Sequence, residues 1–148
     1  MAAALQSDGH IVVAGYSATT QDHDFTIARY GADGALDAGF GSGGVVATNF
    51  STNSSDIAYG IAIQRDGKIV AGGRTGDYPA FDLALARYTG LGALDASFGA
   101  GGKMTTNLGN QEQGYAVALD AKGKIVLAGI SFANGHDFDM AVARYLGR

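Results

Sequence analysis

"LDASFGAGG" occupies residues 94–102, and "LDAGFGSGG" stands 58 residues earlier, at 36–44. Self-similarity at a fixed spacing signals a repeat architecture, so the rest of the chain is compared in the same frame. "ALQSDGHIVVAG" (4–15) matches "AIQRDGKIVAGG" (62–73) and "ALDAKGKIVLAG" (118–129). "DFTIARY" (24–30) matches "DLALARY" (82–88) and "DMAVARY" (139–145). One part therefore occurs three times and the glycine-rich connection twice. The repeats run approximately over 1–58, 59–114 and, in part, 115–148, within a single domain spanning 1–148.

Each repeat reads as short strands. "YGIAIQ" and "KIVAGGR" flank Asp66-Gly67, and Asp8-Gly9 sits in the same place in the first repeat. Asp-Gly between apolar runs predicts a two-residue hairpin whose turn residues both take positive φ. Lys122-Gly123 is a weaker version. "LALARY" is a third strand, and "VVATNF" (45–50) and "KMTTNL" (103–108) are fourth strands. Second strands such as "IVVAG" are apolar at consecutive positions, as strands buried on both faces are. No stretch sustains a helical period. The fold class is all-β: a β-propeller with three four-stranded blades, the last short of one strand. Blades of about 40–50 residues are the familiar size.

In "LDASFGAGG", "QRDGKIVAGG" and "DLALARY" the chain resembles the delta-60 repeat family of bacterial proteins, over essentially its whole length, and it is similar in layout to NHL blades. The resemblance implies a β-propeller and no general catalytic motif.

Composition bounds the partners. The net charge is −4 and the basic residues are not clustered. Nucleic-acid binding, which needs grouped Lys and Arg, is not expected. No apolar run reaches the roughly 18 residues of a membrane-spanning helix. The first residues, "MAAALQSDGH", lack the basic and apolar regions of a signal peptide. Cysteine is absent, which excludes disulfides and thiolate metal sites and leaves the compartment open. A secreted or cell-surface parent protein fits this repeat type, and the chain reads as a piece of a longer array.

Three blades in a row leave two blade faces bare. A face of about 500–800 Å² is interface-sized. At ~25 cal/mol/Å² it represents on the order of 12–20 kcal/mol gross, before the cost of association. The expected remedy is a homodimer in which two half-rings close into six blades.

The recurring turns read as scaffold. In the connection at 92–102, glycines supply left-handed turns, Leu94 and Phe98 fill the gap between blades, and Asp95 caps local N–H groups. Arg29, Arg87 and Arg144 precede Tyr30, Tyr88 and Tyr145. An anion-binding ring of arginines is one reading. The structural one pairs each arginine with an aspartate of the adjacent turn and lays its stem on the tyrosine. Asp24, Asp82 and Asp139 also share one repeat position and read as structural.

Function is expected at the opposite end, where "SATTQDHD" (17–24), "TGDYPAFD" (75–82), "SFANGHDFD" (131–139), "STNSSD" (51–56) and "GNQEQG" (109–114) differ between repeats. His23 with Asp22, and His136 with Asp137, are candidate metal ligands. His and Asp together suit Zn²⁺, and Asp with Asn suits Ca²⁺. No serine stands in a G-x-S-x-G elbow. The leading reading is a non-catalytic scaffold or binding module with its ligand at the channel mouth. The alternative is a metal-dependent hydrolase of esters, lactones or phosphoesters. A third is a glycan-binding ring that uses loop tyrosines such as Tyr78 and aspartates.

Overall fold

A computed structural model describes residues 1–18, 22–133 and 137–147. The first sheet holds β1 (Ala2–Leu5), β2 (Ile11–Ala18), β3 (His23–Tyr30) and β4 (Val45–Thr48). The second holds β5 (Ile57–Ile63), β6 (Ile69–Thr75), β7 (Asp82–Tyr88) and β8 (Lys103–Thr106). The third holds β9 (Gln111–Leu119), β10 (Ile125–Ala133) and β11 (Asp137–Tyr145). Each sheet is antiparallel and follows sequence order from its first strand outward, which is the layout of propeller blades. The third has three strands among the described residues.

The turn between the first and second strands is longer than the sequence suggests. Gln6 N–H donates to His10 C=O at 2.8 Å and Gly9 N–H to Gln6 C=O at 3.0 Å. This is a three-residue loop ending in glycine at φ 90°, and Asp8 is not in the left-handed region. The Asp8 carboxylate accepts the His10 N–H at 3.2 Å, which holds the aspartate right-handed and leaves the positive φ to Gly9 alone. Gln64–Lys68 and Asp120–Lys124 close in the same way. The expected two-residue turn with two positive φ values is thus replaced by a turn followed by a glycine bulge.

The sheets stack face to face in sequence order. β5 lies against β1, β2 and β3, and β9 lies against β5, β6 and β7. Alternation along the strands divides the side chains between two seams. In the second sheet Ile69, Ala71, Ala84, Ala86 and Tyr88 join Val12, Ala14, Phe25, Ile27 and Phe40 of the first repeat. Val70, Leu83, Leu85 and Phe98 join Ile125 and Leu127 of the third. This is why "IVAGG" is apolar at consecutive positions: β6 is covered on both faces. β2 and β10 are covered on one, and their other faces stay partly exposed. The second seam is tight. A Cβ on Gly72 would lie 2.5 Å from Val117 Cγ2, so glycine there sets the spacing between the sheets.

Two of the first strands bulge at a tyrosine. The register slips between Ala58 and Gly60 in β5, and between Gly114 and Ala116 in β9. Tyr59 and Tyr115 are thereby aimed at each other, with ring centroids 5.2 Å apart.

Candidate functional site

At the end of the sheets that carries the recurring motifs, each glycine-rich connection folds back on its own third strand. Arg87 is fully buried. Its Nε donates to Asp95 Oδ2 at 2.9 Å, its Nη1 to the Gly147 carbonyl at 2.8 Å and its Nη2 to Ser97 Oγ at 3.2 Å. Lys68 Nζ adds a second cation 3.1 Å from Asp95 Oδ2. The first repeat builds the same cluster. Arg29 Nε donates to Asp37 Oδ2 at 2.7 Å and Nη1 to the Gly90 carbonyl at 2.5 Å, and His10 stands in for the lysine at 3.5 Å. Each arginine therefore ties its own turn to the next sheet.

The aromatic partner differs from the sequence expectation. The guanidinium of Arg29 sits 4.8 Å over the Phe40 ring and that of Arg87 4.6 Å over Phe98. The tyrosine that follows each arginine points to the other face of the strand. Tyr88 OH meets Thr48 Oγ1 at 2.8 Å, and Tyr145 OH donates to Thr106 Oγ1 at 2.9 Å, so each reaches the fourth strand of the preceding sheet. Phe98 fills the seam between sheets as expected; Leu94, at 36% exposure, does not. Leu94 instead lies beneath Gly102, whose φ of 95° and close approach to Leu94 Cβ leave no room for a side chain. Arg144, at the same repeat position as Arg29 and Arg87, is exposed.

These contacts set the acid response. Asp95 is held well below the usual carboxylate range by the Ser97 hydroxyl, then by Lys68, the Ser97 N–H and the charge of Arg87. Asp37 is lowered by the Gly39 N–H and Arg29, and Asp120 by the N–H groups of Lys124 and Lys122. A group with a depressed folded pKa stabilises the fold above its unfolded value, about 3.9, and that stability is lost as pH falls through the folded value.

At the variable-loop end, two acidic residues at one repeat position are fully buried: Asp56 and Glu112. Asp56 accepts the Phe50 N–H at 2.7 Å, Ser54 Oγ at 2.8 Å and Thr75 Oγ1 at 2.5 Å. Glu112 accepts the N–H groups of Leu108 at 3.2 Å and Asn110 at 2.9 Å, and Ser131 Oγ at 3.4 Å. Both pin the incoming loop to the second strand of their own sheet. Burial raises the Asp56 carboxyl above its ordinary range, with Asp24 adding to the effect. The sign is opposite to that of Asp95: Asp56 loses stabilising effect as pH rises from about 3.9 through its raised folded value. Unfolding titrations are expected to show stability falling below about pH 4, and a second, shallower fall above it that is absent in Asp56→Asn. An unchanged upper limb in Asp56→Asn contradicts this assignment.

The candidate metal ligands are dispersed. His23 Nδ1 lies 3.2 Å from Ser55 Oγ, and its ring meets Tyr16 edge-on at 4.9 Å. Asp22 is half-buried beside it, Asp137 is exposed at the start of β11, and His136 lies outside the described residues. Among the described residues no three His, Asp or Glu side chains gather as a metal site. The three aspartates of the shared position meet different surroundings. Asp82 accepts Asn107 Nδ2 at 2.8 Å, Asp24 Oδ1 is buried without a hydrogen-bond partner, and Asp139 is exposed. The arginines pair with Asp37 and Asp95 rather than with these. Tyr78 is exposed, 6.5 Å from the Phe81 ring.

Concave surfaces lie elsewhere. Two grooves run between neighbouring hairpin turns, one past Gln64, Asp66, Lys122 and Lys124, the other past Gln6, Asp8, Arg65 and Leu91. A third, apolar hollow on the open face of the first sheet is lined by Met1, Ala3, Val13, Tyr16, Thr26 and Ala28. The buried carboxylates and the facing tyrosines are features the sequence reading missed. Their signal is recurrence: an acid three residues before a tyrosine that stands among small residues in two of the first strands.

No curated protein matches the chain. Residues 6–40 and 64–98 each match the family model described as "Domain of unknown function (DUF5122) beta-propeller". Both segments hold the hairpin turn, the third strand and the aspartate–phenylalanine connection of one repeat, so the first two repeats match this family of β-propeller repeats.

Proposed function

We propose that the chain is a scaffold and binding module that completes a six-sheet propeller ring with a second copy of itself. One observation carries this reading: positions that are buried in both internal seams are bare at the two ends of the stack. Phe25 and Leu83 are buried where the first and second sheets face their successors; Met140, their counterpart in the third, is 92% exposed. Ile27 and Leu85 are buried, and Val142 is 65% exposed. On the opposite face Ile69 and Ile125 are fully buried, and Ile11 of the first sheet is 36% exposed. The forward face of the third sheet and the rear face of the first are thus two halves of the same seam. A two-fold pair joins them twice, forward face to rear face. Ligand contacts are assigned to the channel-mouth loops, which diverge between repeats while the opposite turns recur.

The test uses two variants. Val142→Glu alters the forward face of the third sheet and Ala28→Glu the rear face of the first. Each variant alone is expected to elute at the mass of one chain, and an equimolar mixture to recover a two-chain species through its one intact seam. Two variants that stay paired alone, or a mixture that stays at one-chain mass, overturn the reading.

A further inference from the structure

Among the described residues three guanidinium groups lie over a phenylalanine ring: Arg29 over Phe40 at 4.8 Å, Arg87 over Phe98 at 4.6 Å and Arg74 over Phe81 at 3.9 Å. The first two share a full set of partners in the guanidinium plane. Nη1 donates to a glycine carbonyl, that of Gly90 at 2.5 Å or of Gly147 at 2.8 Å. The opposite edge takes an aspartate. Arg29 gives Nε and Nη2 to Asp37 at 2.7 and 2.6 Å, and Arg87 gives Nε to Asp95 at 2.9 Å.

Arg74, half-buried at the loop end of β6, repeats this seat except for the aspartate. Its Nη1 donates to the Gly76 carbonyl at 3.4 Å, and the Phe81 ring covers one face. Its Nε is buried without a hydrogen-bond partner, and among the described residues no carboxylate stands within ion-pair distance of it. Nearby acids are engaged or point into solvent: Asp82 accepts Asn107 Nδ2, Glu112 accepts the Leu108 and Asn110 N–H groups, and Asp77 is exposed. A buried charged donor without an acceptor is costly, and arginine cannot relieve the cost by losing its proton. Nor does the repeat require an arginine here, since the register places Tyr16 and Ile130 at the same position in the other two sheets.

We propose that Arg74 anchors a carboxylate-binding site at the loop end, where the ligand supplies the group that Asp37 and Asp95 supply to the two clamps. The carboxylate fits the Nε–Nη2 edge, a planar fork that matches two oxygens. Phe81 holds the guanidinium plane. Tyr78, exposed and 6.5 Å from Phe81, adds an aromatic wall for the body that carries the carboxylate. The fitting ligand is therefore an organic acid with an apolar or aromatic body. This names the ligand chemistry of the loop end and rests on the assignment of ligand contacts to those loops; it is independent of ring closure.

Benzoate is the probe, and benzamide is its uncharged counterpart. Each is titrated into the isotope-labelled full chain at neutral pH and followed by NMR through the Arg74 Nε–H and the backbone amides. Benzoate is expected to saturate with a Kd on the order of 1–10 mM, shifting the Arg74 Nε–H and the amides of the 75–82 loop. Benzamide is expected to bind at least about tenfold more weakly, because it brings no charge to the guanidinium. Arg74→Gln, with the wild-type circular dichroism spectrum, weakens benzoate by at least about tenfold, and Arg74→Lys, which keeps the charge and loses the fork, by a smaller factor. An unmoved Arg74 Nε–H, or benzamide equal to benzoate, overturns the proposal. Shifts in the 75–82 loop that survive in Arg74→Gln overturn the anchor and leave the loop face standing. Shifts confined to the hairpin turns at 6–10 and 64–68 overturn the loop face itself.

Discussion

Replacing Asp95 with alanine is expected to destabilise the chain by about 3–5 kcal/mol, because it strands a buried guanidinium without its carboxylate. Arg87 is fully enclosed, and Asp95 is its carboxylate partner in the cluster. Its other contacts, the Gly147 carbonyl and Ser97 Oγ, carry no charge to offset it. Arg87→Ala is expected to cost less than Asp95→Ala, since Asp95 keeps Lys68 at 3.1 Å and stays close to solvent. Arg144→Ala, at the same repeat position but exposed, stays within about 0.5 kcal/mol of wild type. Urea unfolding of the three variants measures all three values. Equal costs at Arg87 and Arg144 contradict the claim that the clamp, rather than the strand, confines the arginine.

Phe98→Ala carries the second large effect, about 3–5 kcal/mol, as expected for a buried aromatic side chain replaced by alanine. Phe98 packs with Val70, Leu83 and Leu85 of its own sheet and with Ile125 and Leu127 of the next. It also supports the Arg87 guanidinium at 4.6 Å. The cavity opens between two sheets, so thermal unfolding is expected to begin with release of the third sheet, seen as early amide exchange in β9 and β10. Leu94→Ala, in the same connection but largely on the surface, costs under about 1 kcal/mol. A larger loss at Leu94 than at Phe98 reverses the assignment of which side chain fills the seam.

The repeats, the strand order within each sheet and the place of the fourth strands are legible in the sequence, because recurrence and strand alternation are local signals. Consecutive apolar positions in a second strand read as burial on both faces, and β6 is so buried. What the sequence hides depends on direction. The chain places Arg87 next to Tyr88, which suggests contact, yet neighbouring residues in a strand point to opposite faces. The arginine meets Phe98, eleven residues on, and the tyrosine meets Thr48, forty residues back. The Asp-Gly turns misled for a related reason: the Asp8 side chain bonds the His10 N–H, which makes the loop one residue longer than the dipeptide implies. At the loop end, histidines drew the eye because they bear metal chemistry. The residues that organise that end are Asp56 and Glu112, whose roles rest on hydroxyls of the second strand, Thr75 and Ser131, about twenty residues away.

Both ends of the stack follow from one rule: a face buried inside the chain needs the same cover outside it. The pairing of Met140 and Val142 with a rear face like that of the first sheet is the central claim, and it concerns mass before it concerns ligands. Sedimentation equilibrium of the purified chain at neutral pH measures it most directly. The expected result is a single species of twice the 15.0 kDa chain mass. A species of 15.0 kDa that persists across the accessible concentration range contradicts it.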